Sequence, residues 1–426
     1  MEKREYPRLG ESIWHTVLPN GLHVYVDAKP GFQKSYAFFA TDYGSMDTRF
    51  FLDGAWQDTP AGVAHYLEHK TFDTPEGNAL QLMAANGASP NAFTSTALTG
   101  YYFESTENFE ETLKLLLSFV STPYYTQESV DKEQGIIGQE IRMSDDEPDY
   151  RVFYGMLEGL YAHSPVRVDV GGTVESISHI TADTLNLCHR AFYDPGNMAL
   201  CVAGDVDPER IAAIAQEVLP QTGHPPVERD YGPAEPDEVA AESWEREMEV
   251  STPIFQLGFK CPPPKKGREW LRWALVGDLA LDALLGTSSP LYSALYAQGL
   301  LNESFSYGCE AYPGAAFLCA GGESRDPHAL RNAILAEAQR IGREGVDEAL
   351  FQRLKRASYG GLVRALNSFE TLCIELTTSH FQGHDYLEFP QIFDEIGRED
   401  VEACIRQMTR PHGNTLAVIW PKGERK

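Results

Sequence analysis

Two distant stretches of this chain are written in nearly the same pattern. Tyr193-Asp194-Pro195-Gly196-Asn197-Met198-Ala199-Leu200-Cys201-Val202 is echoed by Arg410-Pro411-His412-Gly413-Asn414-Thr415-Leu416-Ala417-Val418-Ile419. Each is a turn rich in Pro, Gly and Asn that runs into an apolar strand, and the echo is the trace of an internal duplication. A duplicated chain folds as two similar halves, and 426 residues exceed what one hydrophobic core usually organises. Between Pro220 and about Glu247 the composition changes: Pro220, Pro225, Pro226, Pro233 and Pro236 stand among many acids, the pattern of an extended surface linker. The expected organisation is therefore a first half over 1–219, a linker over 220–247 and a second half over 248–426.

Along the first half, Leu22-His23-Val24-Tyr25-Val26 alternates as a strand after the turn Pro19-Asn20-Gly21, and Ser35–Ala40 reads as its neighbour. The stretches from Asn91 to Thr96 and from Gly100 to Ser105 read as a hairpin. Phe109, Leu113, Leu116, Leu117 and Val120 recur at helical spacing until Pro123 stops the run. Thr126 caps a further helix carrying Val130, Glu133, Ile136, Ile137, Glu140 and Ile141. The second half restarts with a strand, Ile254–Phe259, and a helix from Trp270 to Leu285.

Chemistry concentrates in His65-Tyr66-Leu67-Glu68-His69. Thr59 is a suitable helix N-cap and Pro60 a suitable first helical residue, so a helix is expected from about Pro60 to Thr71. Positions four apart share a helix face, which points both imidazoles the same way and lets them grip one metal ion. His-x-x-Glu-His is the reversed form of the zinc-protease signature, and the carboxylate between the histidines is the candidate general base. A catalytic zinc site takes three protein ligands and leaves a position for water, so this helix alone is incomplete. Glu133 and Glu140 lie two turns apart on one stripe of a later helix. They either face a cation or are solvated carboxylates on a helix surface.

Composition excludes several other readings. A net charge of −27 argues against nucleic acid or an anionic membrane as the main partner. No run approaches the length that spans a bilayer, and the N-terminal residues lack the apolar core of a signal peptide. Seven cysteines without C-x-x-C spacing read as buried free thiols of a reducing compartment, and a cytoplasmic location is expected. His15 and His23 read as ordinary strand residues, and His163, His179 and His189 as structural ones.

Three motifs together carry a resemblance: Gly62-Val63-Ala64-His65-Tyr66-Leu67-Glu68-His69, then Asn91-Ala92-Phe93-Thr94-Ser95, then Glu133-Gln134-Gly135-Ile136-Ile137-Gly138-Gln139-Glu140-Ile141. In this order they resemble the inverzincin metallopeptidases, the family of pitrilysin, insulin-degrading enzyme and the mitochondrial processing peptidases, and within it the short bacterial two-domain members. The resemblance implies an α+β fold of two homologous halves, each a mainly antiparallel sheet flanked by helices, forming a clamshell. It implies one Zn2+ per chain, with His65 and His69 as ligands, Glu68 as the base and Glu140 as the third ligand. Glu133 would support the site from behind by holding a ligand histidine, although the short interval from His69 to Glu140 leaves it open as the ligand. Asn91, Ala92 and Phe93 match the strand edge along which the family lays a peptide substrate.

The second half departs from the pattern. The helix corresponding to the metal helix reads Gly277-Asp278-Leu279-Ala280-Leu281-Asp282-Ala283-Leu284 and has no histidine. Relatives whose second half completes the site carry an Arg and, seven residues on, a Tyr near a Gly-Leu pair. Around Gly299-Leu300 this chain has Leu295 and Asn302, with Tyr296, Tyr307 and Arg325 as the nearest substitutes. The resemblance then implies a zinc endopeptidase that is the metal-bearing subunit of a heterodimer, its related partner supplying the Arg and Tyr. Two rivals stand beside it: a non-catalytic structural or assembly subunit of the same fold, and a zinc hydrolase acting on a small molecule.

Overall fold

The computed structural model describes residues 1–423, and its contacts divide the chain into two compact units. The first comprises Met1–Ile141, Asp169–Tyr231 and Val363–Leu387; the second comprises Arg142–Val168, Gly232–Leu362 and the residues from Glu388 onward. Among the described residues no helix is long and apolar enough to cross a membrane.

The strands in chain order are β1 (Glu2–Tyr6), β2 (Glu11–Val17), β3 (His23–Ala28), β4 (Ser35–Thr41), β5 (Arg49–Leu52), β6 (Ala55–Asp58), β7 (Asp73–Thr74), β8 (Gly77–Asn78), β9 (Ala88–Thr94) and β10 (Thr99–Ser105). They continue as β11 (Met198–Gly204), β12 (Glu228–Arg229), β13 (Ser243–Met248), β14 (Ile254–Cys261), β15 (Ser306–Tyr312), β16 (Ala315–Glu323) and β17 (Asn414–Pro421). The first unit holds a seven-stranded sheet in the order β1-β2-β3-β11-β4-β10-β9, and the second a five-stranded sheet in the order β13-β17-β14-β16-β15. The duplication is visible in these orders. β11 and β17, the two echoed strands, each lie parallel to one neighbour (β3, β13) and antiparallel to the other (β4, β14). The remaining pairings toward β9 and toward β15 are antiparallel. Both sheets are thus mainly antiparallel, and the fold is α+β. β3 and β4 are not neighbours as their sequence order suggested, because β11 returns from residue 198 and inserts between them.

The helices before residue 161 are α1 (Val63–Thr71), α2 (Ala79–Ala85), α3 (Phe109–Ser121), α4 (Gln127–Asp145) and α5 (Pro148–Leu160). α1 begins later than its sequence suggested. The Thr59 hydroxyl and N–H are both spent on the Thr48 carbonyl, and the helix starts instead from Gly62 at φ 88°. Only glycine fits there: the left-handed backbone disfavours a side chain, and an added Cβ would lie 2.4 Å from the Gly171 carbonyl oxygen. Val63, Ala64, Tyr66 and Leu67 then enter the apolar core of this unit with Val130, Ile137 and Ile141 of α4, each burial worth roughly 1.5–3 kcal/mol for the larger side chains.

Two helical segments sit differently from contiguous halves over 1–219 and 248–426. α5 belongs with the second unit, where Val152, Met156 and Leu160 pack with Phe317 and Ile419. Gly155 and Gly159, one turn apart, let it approach closely, the first against the Trp244 ring and the second against Thr415. The helix Phe369–Gln382 belongs with the first unit, with Phe369 beside Phe32 at 5.3 Å between ring centroids and the Tyr25 hydroxyl 3.1 Å from His380 Nδ1.

The proline-rich stretch 220–247 is only partly a solvated linker. β12 pairs with β5, and the buried Arg229 guanidinium lies 3.0 Å from Asp42 and 3.5 Å from Asp47. β13 is the edge of the second sheet, and the unit boundary falls at Tyr231. All seven cysteines are free, but Cys309, Cys319 and Cys404 are partly exposed. His189 hydrogen-bonds the Val120 carbonyl at 2.9 Å inside the core, and His15 and His23 meet across β2 and β3 at 3.1 Å.

Gly62→Ala is expected to destabilise the first unit by roughly 1–3 kcal/mol, read as a lower urea midpoint at unchanged m-value. An unchanged midpoint would show that the start of α1 tolerates a side chain.

Candidate metal centre

α1 and α4 lie together because Tyr66, fully buried, donates its hydroxyl to the Val130 carbonyl at 2.5 Å while Val130 and Ile137 face the same core. That contact brings the next positions on both helices face to face. One ligand atom each from His65, His69 and Glu140 lies within 4.8 Å of the others, and among the described residues this is the only such group of three or more His, Cys, Asp or Glu. The two rings are 4.7 Å apart between centroids, and His69 Nε2 is 3.5 Å from Glu140 Oε2.

Glu133, one heptad before Glu140, goes to the other side of the His69 ring: its Oε1 is 3.2 Å from Nδ1. An ionised carboxylate can only accept, so Nδ1 is the donor to Glu133, which leaves Nε2, on the side of Glu140, as the nitrogen a metal ion would use. The geometry thus separates two acids that the spacing left interchangeable. Ile136, between them in sequence, is 47% exposed, and Ile137 is the residue that enters the core.

Glu68 is buried at 8% exposure and accepts from the Thr94 hydroxyl at 3.0 Å. Burial pushes its carboxyl above the ordinary range, with His69 and Thr94 pulling the other way. Thr94 sits at the end of β9, whose Asn91, Ala92 and Phe93 pair with Tyr102, Tyr101 and Gly100 of β10. β9 ends its sheet, so among the described residues its outer edge has no strand partner, and the Ala92 N–H is held by the Asn91 side chain at 2.9 Å. Thr94 belongs to the Asn91–Ser95 motif, but nothing in its spacing pairs it with Glu68; the pairing follows from the packing of β9 on α1.

The residues fit a zinc ion. Two imidazoles and one carboxylate are a usual donor set with room for a fourth ligand. Burial, helped by the neighbouring His69, lowers the His65 pKa to about 4, which keeps the ring in the neutral form a ligand needs. Its Nδ1 is buried with no hydrogen-bond partner among the described residues. His69 is shifted the opposite way: burial opposes its protonation, but the Glu133 hydrogen bond and the charges of Glu68 and Glu140 outweigh it, and its pKa is raised.

In the second unit the helix Arg268–Leu285 lies along β15, as α1 lies along β9 in the first unit, but its polar contacts differ. Asp282 accepts from the Tyr307 hydroxyl at 2.8 Å, and Asp278 is 3.4 Å from the Cys309 sulfur. Leu295 is buried, Asn302 is bound to Glu323 at 2.7 Å, and Arg325 donates to the Gln298 carbonyl at 2.6 Å. Of the substitutes for the missing Arg and Tyr, Tyr296, at 51%, and Arg325 are exposed, and Tyr307 is half-buried.

Residues 51–173 match the family model described as Insulinase (Peptidase family M16), and residues 179–358 match the model described as Peptidase M16 inactive domain. The chain is 39% identical to an uncharacterized zinc protease of Bacillus subtilis, YmfH, over 98% of this chain and 99% of the other. It is 27% identical to an uncharacterized zinc protease of Mycobacterium leprae over 97% of this chain and 93% of that one. Among solved structures, an M16-like peptidase from Alicyclobacillus acidocaldarius superposes with a TM-score of 0.93 at 32% identity, covering 96% of this chain and 98% of that one. A protease from Helicobacter pylori shares the fold at 18% identity, with a TM-score of 0.79 over 96% of this chain and 100% of that one.

Because a protonated His69 cannot ligate, metal uptake must expel its proton, and zinc affinity is expected to fall as pH falls through that raised pKa. The decline should begin above the ordinary histidine value of about 6.5 and move to lower pH in Glu133→Gln. Chelator competition across about pH 6–8 measures it; a flat profile in the unsubstituted protein would contradict the assignment of His69.

Proposed function

This chain belongs to peptidase family M16, the insulinase family, and on that premise we propose that it is a zinc-dependent endopeptidase acting on short or unfolded peptides. The observation that carries the reading is the convergence of His65, His69 and Glu140 beside a buried carboxylate, Glu68, under an open strand edge. His65, His69 and Glu140 would hold one zinc ion per chain. When bound, the ion supplies a Lewis acid and brings the pKa of a water molecule toward about 7.

The protein's own residues do the rest. A peptide added along Asn91, Ala92 and Phe93 forms a further strand on β9, taking the Ala92 N–H from the Asn91 side chain. Thr94 fixes one oxygen of Glu68, leaving the other to receive a proton from the attacking water. A carboxyl raised above its ordinary pKa keeps that proton long enough to deliver it to the departing amine. Glu133 holds His69 in the tautomer that keeps Nε2 unprotonated. Glu68→Gln is expected to retain zinc stoichiometry and to lose roughly 10²–10⁴-fold in kcat on a peptide library. Cleavage at the original rate would remove Glu68 from its role.

The same reading makes this chain the metal-bearing member of a heterodimer. A buried Leu295 and an Asn302 tied to Glu323 stand where a self-sufficient relative carries Arg and Tyr, so no group there is set to hold a substrate carbonyl. Mixing with a related chain that lacks the histidine motif should raise peptide cleavage at least about tenfold, the scale of one lost electrostatic contact. High activity of this chain alone would end the pairing while leaving the peptidase reading intact. A non-catalytic assembly role is disfavoured by the intact donor set, since a scaffold has no use for three convergent ligands beside a buried base.

A further inference from the structure

Immediately after His69 the chain places a lysine where lysines are rarely found. The Lys70 side chain is 2% exposed, at the end of α1 and on the side away from solvent. Burying an ammonium is unfavourable unless it is paired, and here it meets two carboxylates: Asp73, in direct contact, and Glu133 Oε2, at 3.7 Å. Ser129, one turn before Glu133 on α4, donates to Asp73 at 2.7 Å.

These four residues alternate between two segments. Lys70 and Asp73 stand at the end of α1 and just beyond it, while Ser129 and Glu133 are on α4. α1 supplies the two histidines and α4 supplies Glu140, so the cluster bridges the two helices whose separation sets the ligand spacing. It also accounts for both oxygens of Glu133. Oε1 accepts the hydrogen bond from the His69 Nδ1–H, and Oε2 faces the ammonium. An acid with one oxygen unconstrained could rotate about its terminal torsion, which is broad for a glutamate, and release the ring.

Resting on the metal-centre reading above, we infer that Lys70 is a positioning residue of that centre. It acts through Glu133, fixing the carboxylate so that the His69 ring is held in orientation and tautomer, and through Asp73 and Ser129 it ties α1 to α4. A simpler role is available, because a cation in the last turn of a helix also favours the helix dipole. That role would be independent of Glu133, and this separates the two.

The test is zinc affinity of the metal-free protein, read by competition with a chromophoric chelator, for the unsubstituted chain, Lys70→Met, Glu133→Gln and the double variant, with circular dichroism as the check of folding. Lys70→Met fills the same volume without the charge and should weaken zinc binding about 10-fold or more, the scale of lost support behind a ligand. In the Glu133→Gln background the same change should cost less than about 2-fold, and Lys70→Arg should recover most of the loss. Should Lys70→Met not fold, Asp73→Asn is read in its place, with the same loss in the native background and the same disappearance beside Glu133→Gln. Equal affinity with and without the lysine charge, or losses that simply add, would overturn the inference about Lys70 alone. Failure of the unsubstituted chain to take up zinc would instead overturn the metal centre. Peptide cleavage enters neither decision.

Discussion

The centre depends on one helix pair. Two histidines on α1 are fixed relative to each other by helical geometry, but Glu140, the third member of the group, comes from α4, more than sixty residues later, and lands within a few ångströms of them. The Tyr66 hydroxyl on the Val130 carbonyl and the shared apolar core set that spacing to a tolerance that side-chain contacts at the surface could not provide. Two further polar contacts of the site, Glu133 on His69 and Lys70 on Glu133, are made across the same seam, while Glu68 is held from β9 by Thr94.

Burial at this seam pushes its ionisable groups in different directions. His65 is driven neutral by its burial, with the neighbouring His69 adding to the effect, whereas His69, beside Glu133, Glu68 and Glu140, is drawn toward the cation. Glu68 is driven toward the neutral acid. A divalent cation bound among these groups would relieve both tensions at once, because it would replace the proton on His69 and favour the charged form of Glu68. Separation of neighbouring titrations is what divides labour between acid, base and ligand in a hydrolytic site.

Duplication supplied the scaffold twice and chemistry once. The five-strand order and strand directions repeat, down to a helix lying along the last strand of each sheet. In the second copy that helix offers Asp278 and Asp282, whose partners Cys309 and Tyr307 are on the strand itself. A sheet tolerates such exchange because its order is set by backbone pairing and buried apolar faces, which the polar helix face does not touch.

Much of this was legible without coordinates. The echo of Tyr193–Val202 in Arg410–Ile419 fixed the doubling, alternation and helical spacing placed the strands and helices they identified within a few residues, and the interval between His65 and His69 put both rings on one face. Local rules suffice there because each signal lies within a few residues of its consequence. What needed the tertiary structure was everything that joins remote residues. The insertion of β11 between β3 and β4, the exchange of α5 and Phe369–Gln382 between the units, and the burial of Arg229 inside an apparent linker are all of this kind. So are the different duties of Glu133 and Glu140, which share a helix stripe and differ only in which side of one imidazole they reach, and the turning inward of Lys70. Sequence determined which groups were available and which way each helix could present them. Packing between α1 and α4 decided which of them met, because a distance across a core is set by the side chains that fill it.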